Sequence, residues 1–321
     1  METPFRHEPA SRLEASLRAG CLVFTTEITP PVSCAADDLL RKALPLRGLA
    51  DAVNVTDGAS ARTHMSALAA AAILARNGIE PVLQLACRDR NRIALAADLM
   101  GAAACGIHNL LLLTGDDPGA GDEPQAKPVF DLDARSLTEL ARRIRDHGEL
   151  PSGPKVAGAA QFFLGAADLA IDPPPGWRPE RLAAKVAAGA QFAQSQFCMD
   201  AAIIRRYVRR LSESAEVRGL SLLIGIAPLR SANSARWMLH HLPGTIIPQV
   251  LIRRLEAALA PDAEGRRISL ELIEELAAVQ GVAGVHVMAP ANEAAVPEVI
   301  AEARRRLPAA RQSCLASAPN P

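Results

Sequence analysis

The segment LLLLTGDDPGAGDEPQAKPVFDLD, residues 110–133, joins an apolar run to a loop rich in glycine, proline and acidic residues. Four consecutive leucines predict a buried strand, and the sequence Thr-Gly-Asp-Asp at 114–117 follows it directly. Two adjacent carboxylates at the end of a buried strand have four explanations: a phosphate-binding loop, a metal site, a plain turn or a catalytic loop.

Two of these explanations do not fit the residues present. A P-loop requires Gly-x4-Gly-Lys-Ser/Thr, and the segment has no lysine at the required position. A calcium-binding loop requires a spacing of acids that this segment does not have. The triplets Asp-Pro-Gly and Ala-Gly-Asp favour turns. A turn and a catalytic loop therefore remain open.

Apolar runs of the same kind recur along the chain and alternate with amphipathic stretches that predict helices. The predicted strands are 22–28, 52–57, 81–87, 109–115, 162–168, 192–197, 222–228 and 284–289. Strands that alternate with helices predict a parallel sheet, and eight such units fit a (β/α)8 barrel. A doubly wound open sheet is the alternative, but no GxGxxG follows the first strand, as its dinucleotide-binding form requires.

The predicted fold class is therefore α/β, a single-domain (β/α)8 TIM barrel. We expect an N-terminal extension at 1–20, a catalytic barrel domain at 21–307 and a C-terminal tail at 308–321. A helix-rich segment at 243–268 predicts an extra helical insertion before strand eight.

Composition narrows the class of protein. The 321-residue chain is formally neutral, which argues against nucleic-acid binding, and its apolar runs are too short to span a membrane. The polar N-terminus lacks the apolar core of a signal peptide. Six scattered cysteines without a CxxC pair suggest neither zinc nor a disulfide framework. These features predict a cytoplasmic protein with reduced thiols.

Polar residues at strand ends are the candidates for chemistry, because barrel enzymes carry catalytic groups at the C-terminal ends of their strands. Glu27 interrupts a β-branched run just before two prolines. Burial favours the protonated form of a carboxyl group, which a general acid requires, although a glutamate paired with a nearby arginine is the alternative. A catalytic loop would place Asp116 beside Glu27. His64 and His286 have no second ligand at metal spacing, so both are interpreted as structural or supporting residues.

Several segments resemble the methylenetetrahydrofolate reductase family, in order, along nearly the whole chain. They are TTEITPP (25–31), NVTDGASARTH (54–64), LQLACRDRN (83–91), the loop at 106–133, FLGAAD (163–168), ERLAAKVAAGAQFAQSQFCMD (180–200), GIAP (225–228) and GVAGVHVMAP (281–290). The loop and the segment at 180–200 are specific when they occur together.

The resemblance implies a barrel that holds FAD at the C-terminal ends of its strands. It implies reduction of 5,10-methylenetetrahydrofolate to 5-methyltetrahydrofolate by NADH or NADPH through the flavin. Glu27 falls on the family's general acid, Asp116 on the acid that contacts the folate, and Gln196 on a substrate-binding glutamine. The positions that fall on cofactor contacts are Thr56, Gln84, Thr114, Gly115, Asp116, Phe130, Ala167 and Lys185.

The chain also departs from the family's usual residues. The acid is flanked by Thr and Ile at 26–28 rather than by phenylalanines, and Gln84, Thr114 and Ala167 replace a histidine, an arginine and an aromatic residue. Each change removes a stacking or charge contact to flavin, nicotinamide or pterin.

Two alternatives therefore stay open. One is a folate oxidoreductase that uses nicotinamide directly, takes electrons from a partner protein or runs in the oxidative direction. The other is a non-catalytic folate-binding subunit of a methyl-transfer complex.

Overall fold

In the computed structural model, which describes residues 8–308, eight parallel strands close into a barrel in sequence order. The strands are β1 Val23–Ile28, β2 Ala52–Val55, β3 Pro81–Ala86, β4 Asn109–Leu113, β5 Phe163–Asp168, β6 Phe192–Phe197, β7 Ser221–Ile226 and β8 Val282–Val287. The barrel closes where β1 pairs with β8, with Thr25 opposite His286. The predicted fold is confirmed, and each strand begins and ends within two residues of its predicted bounds.

Helices surround the barrel. They are α1 Arg12–Arg18, α2 Ala36–Ala43, α3 Ala67–Arg76, α4 Arg92–Ala104, α5 Ala134–His147, α6 Glu180–Ala188, α7 Ala201–Ser212, α8 Ala232–His241, α9 Gln249–Ala257, α10 Pro261–Ala277 and α11 Ala295–Arg306. Helix α5 shows how local sequence sets these bounds. Asp133 and Ser136 form a reciprocal capping box at its start, and Gly148 ends it in the left-handed conformation, with φ 58°.

Three helices, α8, α9 and α10, lie between β7 and β8, where a regular barrel unit has one. The predicted extra helical insertion at 243–268 is therefore confirmed as an element. It contains all of α9 and the start of α10, which opens with Pro261 in its first turn and continues to Ala277.

Helix α1 packs against the N-terminal end of the barrel. Leu13 is fully buried, and Leu17 is 8% exposed. The Glu80 carboxylate accepts hydrogen bonds from the backbone N–H groups of Arg12 and Leu13, at 2.9 and 2.8 Å, and thereby caps the helix. Part of the segment predicted as an extension at 1–20 is thus packed helix, while the domain boundary itself stays a prediction.

Within residues 8–308, no helix is long and apolar enough to cross a bilayer. Residues 1–7 and most of the predicted tail, from residue 309, lie outside the described residues.

Cys34, Cys87, Cys105 and Cys198 are free thiols. Cys21 is disulfide-bonded, so the expectation of reduced thiols is wrong at this position. Cysteine spacing alone does not establish disulfide pairing.

Candidate active site

The lowest layer of the barrel interior is apolar. It consists of Val23, Ala52, Val82, Leu111, Phe163, Phe192 and Leu223, which form one cluster with Leu13 and Leu17 of α1. Residues from seven strands can contact one another only inside the barrel, so these positions define its inward face. The rings of Phe163 and Phe192 stack with centroids 4.9 Å apart. Gly165 makes room for this stack, because a Cβ there would lie 2.3 Å from the Phe192 ring.

The middle layer is polar and hydrogen-bonded. Asn54 Nδ2 donates to Gln194 Oε1 at 2.6 Å, and Gln194 Nε2 donates to Thr25 Oγ1 at 3.1 Å. Thr25 Oγ1 lies 2.9 Å from His286 Nδ1. All four side chains are at most 4% exposed. Buried polar groups of this kind are stable only when they are paired, so the network fixes the orientation of each member.

The mouth of the barrel brings several of the predicted residues together. Side chains alternate along a strand, so residues two or four positions beyond the lowest layer also face inwards. Glu27, Thr56, Gln84 and Ala167 meet this condition on or just after β1, β2, β3 and β5. Thr56 and Gln84 are 6% and 8% exposed. These four residues, distant in sequence, therefore converge at the C-terminal end of the barrel.

Glu27 lies between the polar network and solvent. Its side chain is 30% exposed, whereas that of His286 is 4% exposed. The distance from Glu27 Oε2 to His286 Nε2 is 3.8 Å. The carboxyl group is thus open to a ligand on one side and faces a buried imidazole on the other.

The loop after β4 gives its two adjacent carboxylates different surroundings. Asp117 Oδ1 accepts a hydrogen bond of 2.9 Å from the N–H of Gly119 and caps a short 3₁₀ turn, as the triplet Asp-Pro-Gly favours. Asp116 is exposed next to it. Gly115 has φ 98°, a conformation that favours glycine, and a Cβ there would lie 3.0 Å from Arg88 Cβ. Thr114 Oγ1 accepts a hydrogen bond of 3.1 Å from the N–H of Ala134 at the start of α5.

The same loop folds over the loop that follows β2. A Cβ on Gly121 would lie 1.9 Å from the carbonyl oxygen of Ala61, so only glycine permits this approach. The Asp122 carboxylate accepts hydrogen bonds of 3.0 and 3.1 Å from the N–H of Thr63. The two loops therefore form one wall of the mouth.

Arg88, at the end of β3, ties this wall to the barrel. It is 4% exposed, and its Nη1 donates to the carbonyl oxygen of Gly58 at 3.1 Å. Its own carbonyl oxygen accepts a hydrogen bond of 2.8 Å from Val129. Hydrogen bonds to the Asp89 carboxylate raise the pKa of the Arg88 guanidinium, and the charge of Asp116 raises it further. A fixed positive charge therefore stands beside the acidic loop.

Phe130, a predicted cofactor contact, follows this anchor. Its φ is 41°, which is strained for an aromatic residue, and it is 38% exposed. Backbone strain of this kind costs on the order of 1–3 kcal/mol and is concentrated at functional sites. An aromatic ring is thus partly exposed on the mouth loop at a strained backbone position.

Gln196, the predicted substrate glutamine, lies at an irregularity in β6. The pairing of β6 with β7 shifts register between Gln194 and Phe197. Gln196 is half-buried, and its Oε1 accepts a hydrogen bond of 3.0 Å from the N–H of Phe197. Gly225 permits the bulge, because a Cβ there would lie 2.8 Å from the Gln196 carbonyl group. Such bulges re-aim side chains next to active sites.

A cavity of about 580 Å³ opens beside the end of β5. Lys185 Nζ donates a hydrogen bond of 2.6 Å to the carbonyl oxygen of Ala167 in its wall. Tyr207 OH donates one of 2.6 Å to Asp168 Oδ2. The ring of Trp177 lies 5.5 Å from that of Tyr207. The cavity thus combines a cation, an acid and two aromatic rings.

Burial dominates the electrostatics of this cavity. It raises the pKa of Asp168, although the hydrogen bond from Tyr207 opposes the shift. It lowers the pKa of Lys185, although the charge of Asp168 opposes that shift. The Asp168 carboxylate and the Lys185 ammonium group are therefore both poorly solvated. A bound group of opposite charge would stabilise either of them more strongly here than in water.

Some contributors to the site were not predicted. Tyr207 lies on α7, where Ile204, Tyr207, Val208 and Leu211 have the spacing of a buried stripe. No sequence pattern distinguished Arg88 as a buried anchor. His286, predicted as structural or supporting, lies beside Glu27. In the part of the chain that the structure describes, no group of three or more His, Cys, Asp or Glu residues could hold a metal.

A parallel barrel with carboxyl groups and inward polar side chains at its C-terminal mouth is the arrangement found in barrel enzymes. Residues 12–304 match the family model described as methylenetetrahydrofolate reductase. The chain belongs to this family.

A named relative agrees with the assignment. Methylenetetrahydrofolate reductase 2 of Schizosaccharomyces pombe is 30% identical to this chain over 206 residues, which is 62% of the chain. The match covers 31% of that protein, so the chain spans about a third of the length of its relative.

Proposed function

We propose that this protein reduces 5,10-methylenetetrahydrofolate to 5-methyltetrahydrofolate, with FAD as cofactor and NADH or NADPH as electron donor. The observation that carries the proposal is the partly exposed carboxyl group of Glu27, which faces a buried imidazole inside a barrel of this family. Residues 21–307 are the proposed catalytic domain.

The reaction requires an acid at this position. Opening the N–CH2–N bridge of the substrate puts a proton on one bridge nitrogen, and the partly exposed carboxyl group of Glu27 would supply it. The one-carbon unit becomes cationic when the bridge opens, and the exposed carboxylate of Asp116 would stabilise that charge. Gln196 is the proposed substrate-binding amide.

The cavity beside β5 supports the proposal of FAD. Its lining combines the ammonium of Lys185 and the guanidinium groups of Arg178 and Arg181 with the ring of Trp177, a set suited to an anionic and aromatic nucleotide. Ala167 joins the cavity to the barrel mouth. The residues proposed to contact FAD are Thr56, Gln84, Thr114, Gly115, Asp116, Phe130, Ala167 and Lys185. FAD, when bound, would supply the hydride transfer, while these residues orient it and exclude water.

One observation favours the alternative of a family enzyme with altered or no use of flavin. Thr114 stands where the family resemblance places an arginine, and its hydroxyl group caps α5 at Ala134. The position therefore carries a hydroxyl group that binds the start of a helix, and it lacks the guanidinium group that the resemblance implies as a cofactor contact.

Anaerobic assays of the purified chain separate these functions. NADH and NADPH are each supplied with and without added FAD, and 5-methyltetrahydrofolate is measured, with E27Q as the inactive control. Product formation that depends on FAD supports the proposal. Formation that is equal without flavin, in a protein that shows no flavin absorbance, supports the alternative. Folate binding without product under any condition would indicate a non-catalytic subunit.

A cytoplasmic location, and assembly as a homo-oligomer or with an electron-transfer or methyltransferase subunit, stay predictions.

A further inference from the structure

The hydrogen bonds in the polar layer of the barrel indicate which ring nitrogen of His286 carries the proton. Gln194 Nε2 donates to Thr25 Oγ1, so the hydroxyl group of Thr25 accepts there and has its own proton free to donate. His286 Nδ1 lies 2.9 Å from Thr25 Oγ1 and 3.5 Å from Gln194 Nε2, so both groups that can donate face this nitrogen. A ring nitrogen that accepts a hydrogen bond carries no proton, so the proton of the neutral imidazole lies on Nε2.

His286 Nε2 is the atom that faces Glu27. The distance of 3.8 Å to Glu27 Oε2 is longer than a hydrogen bond, but catalytic hydrogen bonds are often long without substrate and tighten when substrate binds. On the other side of β1, the inward positions of β2 are Asn54 and Thr56, which are uncharged. Of these residues on the strands that flank β1, only His286 has an ionisable side chain.

We propose that His286 is a positioning residue for Glu27, held by Thr25 and Gln194 with its proton on Nε2. This role rests on the proposed function. Glu27 gives its proton to a bridge nitrogen of the folate, the bond from that nitrogen to the methylene carbon breaks, and the bonding electron pair stays on the nitrogen. His286 gives up no proton. Its Nε2–H stabilises the carboxylate that Glu27 becomes.

The tautomer is tested directly by nitrogen-15 NMR of histidine-labelled, ligand-free protein above neutral pH, with H286Q used to identify the signals of His286. We expect a protonated Nε2 and an unprotonated Nδ1 in the wild type. T25V should abolish this preference. T26V is the matched control, because Thr26 is also fully buried but donates to the Val287 carbonyl oxygen on the other face of β1.

A double-mutant cycle tests the coupling to Glu27. A hydrogen bond to a charged group changes a rate or equilibrium by about tenfold to a hundredfold, so H286L should lower kcat for folate reduction by that factor. In the E27Q background the same change should have little further effect, since the group through which His286 acts is gone. H286Q, which keeps a donor near the position of Nε2, should recover part of the rate.

The outcomes separate this inference from the proposed function. A proton on Nδ1, an imidazolium, or a T25V spectrum like that of the wild type would overturn the tautomer assignment, whatever the protein catalyses. Additive losses in H286L and E27Q would overturn the role toward Glu27. Absence of folate turnover in the wild type would overturn the proposed function and this role with it, while the NMR result would still decide how Thr25 holds His286.

Discussion

The ammonium group of Lys185 donates a hydrogen bond of 2.6 Å to the carbonyl oxygen of Ala167. Ala167 faces the barrel interior with its side chain and the lateral cavity with its backbone. The pair therefore lies where the mouth of the barrel meets the cavity proposed to bind FAD.

Lys185→Met should weaken FAD binding. The substitution removes the buried cation of the cavity, and hydrogen bonds to charged groups contribute about 1.5–3 kcal/mol, so the dissociation constant should rise at least tenfold. Flavin fluorescence during titration measures it. Lys155→Met is the control, because Lys155 is 75% exposed and pairs with Glu149. Equal affinities for FAD in the two variants would place the flavin elsewhere.

Asp168→Asn should change how stability depends on pH. Burial raises the pKa of Asp168 in the folded protein. The folded state therefore binds more protons than the unfolded state from about pH 4 up to this raised pKa, and the wild type loses stability as pH rises through that window. Asparagine still accepts the hydrogen bond from Tyr207 and cannot ionise. Urea unfolding of the ligand-free proteins should show the free energy of unfolding of D168N increasing relative to wild type across the window. A difference that does not vary with pH would contradict the assigned shift.

Leu13→Ala should destabilise the whole barrel. Leu13 is fully buried against the lowest interior layer, and removal of a leucine side chain from a core costs about 2–5 kcal/mol. Ile93→Ala, at a position 78% exposed, should change the free energy of unfolding by less than about 0.5 kcal/mol. Chemical denaturation measures both. A loss at Leu13 as small as that at Ile93 would show that α1 is not part of the core.

Gly121→Ala should lower the activity of the protein more than its stability. A Cβ at this position would lie 1.9 Å from the Ala61 carbonyl oxygen, so the loop that carries Asp116 must move. Displacement of catalytic groups by about 1 Å can lower activity about a hundredfold. Folate reduction should fall steeply with little change in the melting temperature. Gly101→Ala is the control, because its Cβ would make an ordinary contact of 3.5 Å with Leu68. Equal activities in the two variants would show that the loop contact is dispensable.

The barrel was predictable because its signal is periodic. Strands buried on both faces are rich in apolar residues, as at Leu110–Leu113, and eight predicted strands recur between helical stretches. Helix ends were partly predictable from local chemistry, as at Gly148. The role of α1 was not, because its packing depends on Glu80, which is distant in sequence.

The candidate site was predictable only where residues lie at strand ends. Glu27 and Asp116 were found by that rule, and the structure places Glu27 in the mouth. The hydrogen-bond network around His286 was not predictable, because it depends on side chains from three other strands: Thr25, Gln194 and Asn54. Arg88 was missed for a related reason, since its partners belong to two different loops.

The general-acid role of Glu27 is tested most directly by measuring the two half-reactions of E27Q separately. Flavin reduction by NAD(P)H involves no bridge opening and should stay within a few-fold of wild type. Oxidation of the reduced enzyme by 5,10-methylenetetrahydrofolate requires the proton and should slow by about 10²–10⁴-fold. Stopped-flow absorbance of the flavin records both rates. A folate half-reaction in E27Q as fast as in wild type would contradict the assignment of Glu27 as the acid.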